Sequence, residues 1–187
     1  MLEIDYEALT QYAKVLANFT PSKEDAVIEV GLWLKPRLGE VTESFYEKLM
    51  AAPETHLFLE GRVERLKQTH LVWLEKVFTG PYDGNYTAYL YNVGDVHVRV
   101  GLPVEFMAAG IALLTETLHE KIASRHGGDC RNCQGSMEAI GSMLGYSLIV
   151  MQKSYQRSMD KHELEKFLKI SGISHALYQN MARSYKN

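Results

Sequence analysis

The chain has only two cysteines and five prolines among its 187 residues. So few cysteines exclude a small scaffold held together by several disulfides. No apolar run approaches the roughly 20 residues of a membrane-spanning helix, and the acidic, amphipathic N-terminus is unlike a signal peptide. The formal net charge of −3 provides no basic field for nucleic acid. We therefore expect a soluble, cytoplasmic protein that binds neither nucleic acid nor membrane.

The two cysteines, Cys130 and Cys133, form a single C-x-x-C in the glycine-rich stretch GGDCRNCQG. One such pair supplies half of a typical zinc site, and the other half is missing. Gln134 follows where the c-type haem attachment sequence requires histidine. We favour a surface loop that happens to contain two thiols, and a redox pair or metal-binding turn is the alternative.

The composition, 46% hydrophobic and 23% charged, is ordinary for a soluble globular protein. The length of 187 residues suits one domain, or one domain plus an extension. Apolar residues recur at spacings of three and four along most of the chain, which predicts seven or eight helices. The first helix is expected from Ile4 to about Asn18. Pro36 interrupts a long apolar stripe and should kink or break it.

Two further expectations concern helix boundaries. The stretch AAPETHLFLE, residues 51–60, is expected to be a short connection between helices. The last long helix carries apolar positions from Met137 to Tyr155. A separate amphipathic helix, interrupted near Gly172, is expected to follow it.

One segment, GDVHVRVG, has the local pattern of a β-strand. Val96, Val98 and Val100 alternate with His97 and Arg99, and β-branched residues favour strands. A lone strand would leave its backbone groups without partners. We therefore expect a short helix or helical turn whose stiff valines hold the histidine in a fixed direction.

Two histidines have apolar surroundings. His97 lies between valines, and His70 lies within the inward stripe Leu66, His70, Trp73 and Val77. Each could be a hydrogen-bonded core histidine, which is the commoner case. Each could instead bind haem, which needs only one or two protein ligands. No cysteine or carboxylate at zinc spacing completes a site made of protein ligands alone.

Three stretches, in this order and at these separations, resemble the haem domain of the globin-coupled sensors and, more distantly, the protoglobins. VTESFYEKL resembles the B helix of that family, and VERLKQTHLVWLEKVF resembles its E helix. VGDVHVRVGLP resembles the F-helix signature that contains the proximal histidine. The resemblance extends from about Ser22 to Arg157, and the helix before Ser22 matches the extra N-terminal helix of this group.

The resemblance implies an all-α globin fold, a three-over-three-like helical sandwich with an extra N-terminal helix and a C-terminal helical extension. Residues 1–19 would form the lead helix, 20–160 the haem-binding sensor domain, and 161–187 a linker or dimer contact. The final two helices would pair with their copies in a homodimer. Many relatives carry an output module after the globin. This chain stops at Asn187, so it is either a single-domain sensor or a fragment.

The resemblance also implies a cofactor and its ligands. Haem b would be bound non-covalently, with His97 as the proximal ligand of the iron. Tyr46 matches the distal tyrosine whose hydroxyl donates to the bound gas, and Thr69 matches a polar position that contacts it. Leu66 would keep the entrance apolar. His70 stands where an apolar residue is usual, so it is a candidate sixth ligand that O₂, CO or NO must displace.

Three more residues complete the predicted haem pocket: Trp73, Phe106 and Met107. Met107 departs from the family, which often has a tyrosine there on the proximal side. A signalling route through a proximal tyrosine hydroxyl is therefore not expected in this chain.

The predicted function is a haem-based sensor, not an enzyme, for O₂, another diatomic gas or redox state. Gas binding would shift a helix-packing equilibrium that a dimer partner or output module reads. A haem enzyme, such as an NO dioxygenase or peroxidase-like globin, is one alternative. A bis-histidyl electron carrier and a cofactor-free helical interaction domain are the others.

Overall fold

The computed structural model describes residues 4–127 and 133–184, and within these ranges it contains nine α-helices, one 3₁₀ turn and no strand. The all-α prediction is thereby confirmed. The helices are α1 (Tyr6–Leu16), α2 (Pro21–Leu34), α3 (Leu38–Ala51), α4 (Pro53–Leu59), α5 (Val63–Val77), α6 (Gly84–Arg99), α7 (Val104–Arg125), α8 (Gln134–Ser171) and α9 (His175–Ser184). None of these helices has the length and apolar character that crossing a membrane requires.

The lead helix α1 is shorter than expected, and it packs against α6 and α8. The Asp5 side chain caps it by accepting a hydrogen bond from the Ala8 amide at 2.9 Å. Thr10 is buried and hydrogen-bonds Thr87, whose hydroxyl lies 2.5 Å from that of Tyr146. This buried chain of hydroxyls ties α1 to both of its neighbours.

The expected break at Pro36 is present. The 3₁₀ turn Lys35–Arg37 joins α2 to α3, because proline removes one helical hydrogen bond and crowds the preceding turn. Cys130 lies outside the described residues, so the C-x-x-C is only partly described. Cys133 is buried and immediately precedes α8.

The expectation of a plain connection at residues 51–60 is wrong, because α4 occupies most of it. Pro53 is in the first turn of α4, where a missing amide proton has no consequence and the fixed φ suits a helix. Thr55 donates its hydroxyl to the carbonyls of Leu49 and Ala52. Leu59 is buried, so the segment also contributes to the core.

The expectation of separate helices on either side of residue 160 is also wrong, because α8 continues without interruption from Gln134 to Ser171. Residues 146–171 contain neither glycine nor proline, so no residue in this stretch ends the helix. Gly172 ends it with a left-handed φ of 70°. The division of the chain at residue 160 stays a prediction.

Helix α8 packs against α1, α2, α6 and α7, whereas α3 packs against α5 and α7. Helices α6 and α8 lie very close together at Gly94, where an added Cβ would lie 2.6 Å from the Met151 carbonyl oxygen. Only glycine permits this approach. It presses the last turns of α6, which contain the valine segment, directly onto α8.

Candidate functional site

An apolar cavity of about 460 Å³ lies between α3, α4, α5, α6 and α7. Its volume is within the range usual for small-molecule and cofactor sites. All eight residues predicted for the pocket line it: Tyr46, Leu66, Thr69, His70, Trp73, His97, Phe106 and Met107.

The residues that follow His97 form the C-terminal cap of helix α6. The Leu102 amide donates to the His97 carbonyl at 3.0 Å, and the Gly101 amide donates to the Val98 carbonyl at 2.9 Å. Gly101 has the left-handed φ of 70° that this C-terminal capping motif requires. Pro103 then precedes the next helix, α7. The segment is therefore helical, and its Gly-Leu-Pro sequence ends the helix just beyond the histidine.

The His97 ring has one nitrogen held by the protein. Its Nδ1 lies 2.8 Å from the Val93 carbonyl oxygen, so Nδ1 carries the proton and Nε2 is left as a lone pair. Burial lowers the pKa of His97, while the hydrogen bond to Val93 acts in the opposite direction. The ring is thus neutral and has the tautomer that suits a metal ligand.

His70, on α5, is fixed from several sides. Its ring stacks on Phe45 with centroids 4.6 Å apart and planes 4° from parallel. Its Nδ1 lies 3.1 Å from the Thr42 hydroxyl oxygen. Its Nε2 is buried without a hydrogen-bond partner in the described part of the chain. Burial lowers the pKa of His70 to about 4, so this ring is neutral near pH 7.

Tyr46, on α3, is only 7% exposed. Burial raises its pKa to about 12, so the phenol keeps its proton and remains a hydrogen-bond donor. Its ring meets those of Phe45 and His70 edge-on, with centroids 5.4 and 5.7 Å away. The tyrosine and the histidine predicted for the distal side are therefore neighbours.

Thr69, next to His70 on α5, is exposed, and its hydroxyl bonds to its own helix. Its hydroxyl donates to the Arg65 carbonyl at 3.0 Å, although the residue lines the cavity. Leu66 is half-buried at the same wall. The contact between the Thr69 hydroxyl and a ligand stays a prediction, and a hydrogen bond donated to the ligand requires this backbone hydrogen bond to break.

The remaining predicted residues supply apolar walls. Met107 is buried on α7, and the half-buried Phe106 meets Phe58 edge-on with centroids 5.7 Å apart. The indole of Trp73 lies 5.5 Å from the His70 ring. The Trp73 Nε1–H is buried and has no hydrogen-bond partner among the described residues.

Two arginines were not anticipated from the sequence. Arg62 and Arg65 line the cavity. Among its described lining residues they are the only arginines or lysines, and these lining residues include no aspartate or glutamate. Both are exposed, and neither forms an ion pair in the described ranges. Their spacing with Thr69, at three and four residues, places all three on one helix face and could have identified them.

The residues present fit haem. Within the described ranges, no cluster of three or more histidine, cysteine, aspartate or glutamate side chains could hold a metal ion. Haem carries its own four nitrogen ligands and takes one or two histidines from the protein. Its two carboxylates suit exposed arginines, and its flat ring suits apolar walls. The fold and site together define a haem-binding globin.

Comparison with known families agrees with this class. The model of the Protoglobin family matches residues 6–161, and the chain belongs to that family. The globin domain of the Geobacter sulfurreducens globin-coupled sensor is 27% identical, with a TM-score of 0.70 over 78% of this chain and 96% of that chain. The comparison with curated proteins gave no match.

The ferric globin domain of E. coli DosC is 19% identical, with a TM-score of 0.61 over 80% of this chain and 99% of that chain. The ferrous form of the same domain is also 19% identical, with a TM-score of 0.59 over 78% of this chain and 96% of that chain. These two structures support the fold alone. The predicted family and globin fold are thus confirmed, and so is the cofactor, since globin domains of this group bind haem b.

Proposed function

We propose that the chain is the gas-binding globin of a sensor. His97 is the proximal ligand of its haem, and His70 is the sixth ligand when no gas is bound. One observation carries the proposal: two neutral histidines line the same cavity, and in each the hydrogen bond is made by Nδ1. The buried Nε2 of His70 has no partner in the described part of the chain. Haem supplies the iron to which O₂, CO or NO binds.

The other residues of the site have distinct roles in this proposal. The buried Tyr46 hydroxyl donates to the bound gas, because a protonated phenol in a dry pocket favours a ligand with partial negative charge. Leu66 and Trp73 keep water out of the distal side. Arg62 and Arg65 bind the carboxylates of the cofactor by charge-assisted hydrogen bonds. His70 lowers the apparent gas affinity by the fraction of molecules in which it closes the site.

A sensor fits this site better than a haem enzyme, because His70 competes with any substrate for the distal position. The test is to titrate the reduced holoprotein with CO and O₂ and to assay NO and peroxide consumption in the same preparation. We expect reversible, saturable gas binding and no sustained consumption of either substrate. Steady turnover of NO or peroxide would instead support the enzyme.

The contacts of α6 with α8 offer a route from the haem to the rest of the protein. Asp95, two residues before His97, accepts hydrogen bonds from Ser154 at 2.6 Å and Ser158 at 3.1 Å. The Tyr155 hydroxyl donates to the Leu102 carbonyl just beyond α6. A displacement of His97 would thus move α8, as packed helices shift between discrete arrangements.

Asp95→Ala should uncouple α8 from the site. Without the carboxylate, both serines lose their acceptor, so hydrogen exchange near residues 151–158 should differ less between the ligand-free and CO-bound ferrous states. Ser158→Ala removes only the longer bond and serves as the milder control. An exchange difference as large in Asp95→Ala as in the wild type would contradict this route.

The second half of α8 and the following helix α9 carry five exposed large apolar side chains. The exposed side chains are Met159, Phe167, Ile170, Leu177 and Met181. Such surface is typical of an interface. It supports the proposal that a homodimer forms through the C-terminal helices, which would extend the route from α6 to a partner or output module.

A further inference from the structure

Thr42 lies behind the distal histidine, on the side away from the cavity. It is 3% exposed on α3, and its hydroxyl oxygen lies 3.1 Å from His70 Nδ1. It is not among the residues that line the cavity. Thr42 therefore does not contact a cavity ligand directly, and its hydrogen bond connects it to the site through the ring of His70.

The Thr42 hydroxyl is available to the histidine because it does not bond to its own helix. Several helical threonines here, Thr69, Thr115 and Thr117 among them, donate to the carbonyl four residues earlier. For Thr42 the structure gives one hydrogen bond within the described residues, and it is to His70. The hydroxyl can act as donor or as acceptor in that bond.

The second ring nitrogen of His70, Nε2, indicates which partner donates in the hydrogen bond between His70 and Thr42. His70 Nε2 is buried without a partner in the described ranges. A buried N–H without an acceptor is rarer and more costly than a buried lone pair without a donor. The proton is therefore on Nδ1 and is donated to Thr42, and Nε2 is a bare lone pair.

The Thr42 hydroxyl group can donate its own proton to a different acceptor. Thr42 also borders a surface pocket of about 180 Å³, together with Glu43, Glu64, Lys67 and Gln68. A polar pocket of this size can hold water, so a hydroxyl that accepts from His70 can donate to solvent. All the hydrogen-bonding requirements of the pair are then met except at Nε2.

We propose that Thr42 is the positioning residue that holds His70 in the tautomer able to bind iron. The inference rests on the proposed role of His70 as a haem ligand, and it names Thr42 as the residue that selects the tautomer needed for that role. The Val93 carbonyl does the same for His97. A carbonyl can only accept, whereas a hydroxyl can also donate, so the distal tautomer is reversible: with the proton on Nε2, His70 becomes a donor to a bound gas instead of a ligand.

Thr42→Val should release His70 from the iron. Valine matches threonine in shape but leaves Nδ1–H without an acceptor. Hydrogen bonding then no longer favours the Nδ1 tautomer, and part of the His70 population carries the proton on Nε2. We expect the ratio of six- to five-coordinate ferrous haem to fall about fivefold, the equilibrium change expected from one neutral hydrogen bond, and CO to bind correspondingly faster.

Thr42→Ser keeps the hydroxyl and should restore wild-type behaviour. Thr117→Val, a buried threonine on α7 that is 1% exposed, is the matched control.

The tautomer itself is measurable without haem. Long-range ¹H–¹⁵N spectra of the haem-free chain should show the His70 proton on Nδ1 in the wild type and Thr42→Ser, and a mixture of the Nδ1 and Nε2 tautomers in Thr42→Val. A wild-type proton on Nε2, or a tautomer and ferrous spectrum unchanged in Thr42→Val, would overturn the proposal. If the wild type takes up no haem, the proposed function and the ligand role of His70 both fail, while these spectra still decide what Thr42 does.

Discussion

Alanine in place of His97 is expected to leave the protein unable to retain haem. His97 is the proposed proximal ligand, and its ring is already in the required tautomer through the 2.8 Å hydrogen bond to Val93. Loss of an outer-shell partner alone weakens metal binding by about 10- to 100-fold, so loss of the ligand should weaken it by more than about 100-fold. Titration of the haem-free variant with haem measures this.

The matched control is His56→Ala, because His56 is exposed on α4 and does not line the cavity. It should bind haem as the wild type does. Added imidazole should restore part of the haem absorption to His97→Ala by occupying the vacated position, while circular dichroism checks that the helices persist. A normal haem complement and spectrum in His97→Ala would contradict the proximal assignment.

His70→Leu is expected to open the distal position. Leucine fills space beside Phe45 but has no nitrogen, so the ferrous haem should become five-coordinate. CO should then bind about tenfold faster, which is the factor for a site closed nine-tenths of the time. Stopped-flow mixing with CO measures the rate, and the ferrous spectrum reports the coordination number directly.

Val72→Ala is the control for this change, since Val72 is exposed on the same helix and does not line the cavity. Its CO rate should equal that of the wild type. His70→Ala separates coordination from packing, because it also removes the ring but leaves a void beside Phe45. An unchanged CO rate in both His70 variants would remove this histidine from the coordination sphere.

Much of the fold could be predicted, because most helices are visible in the local sequence as a periodic spacing of apolar residues. The apolar periodicity identified the helices, and Pro36 marked the break that the structure realises as a 3₁₀ turn. The valine segment was correctly expected to be helical, since no partner strand was available. The boundary errors had one cause. Neither α4 nor the continuation of α8 depends on an apolar stripe, and both are decided by where proline and glycine occur.

The site was predictable where one residue faces the cavity by helical spacing, as His70 and Trp73 do. It was not predictable where a residue acts from a different helix or from the rim. Thr42 reaches His70 across the contact of α3 with α5, and no sequence pattern encodes that pairing. In the sequence, Arg62 and Arg65 are indistinguishable from other solvent-exposed charged residues, and only the structure shows that both line the cavity.

The most direct test of the central claim is the visible absorption spectrum of the purified protein in the ferric, ferrous and ferrous-CO states. We expect a haem b spectrum, low-spin and six-coordinate in the ferric state, with CO able to displace His70 in the ferrous state. A protein that is colourless and takes up no added haem would contradict the claim that His97 and His70 form the two axial sides of a haem site.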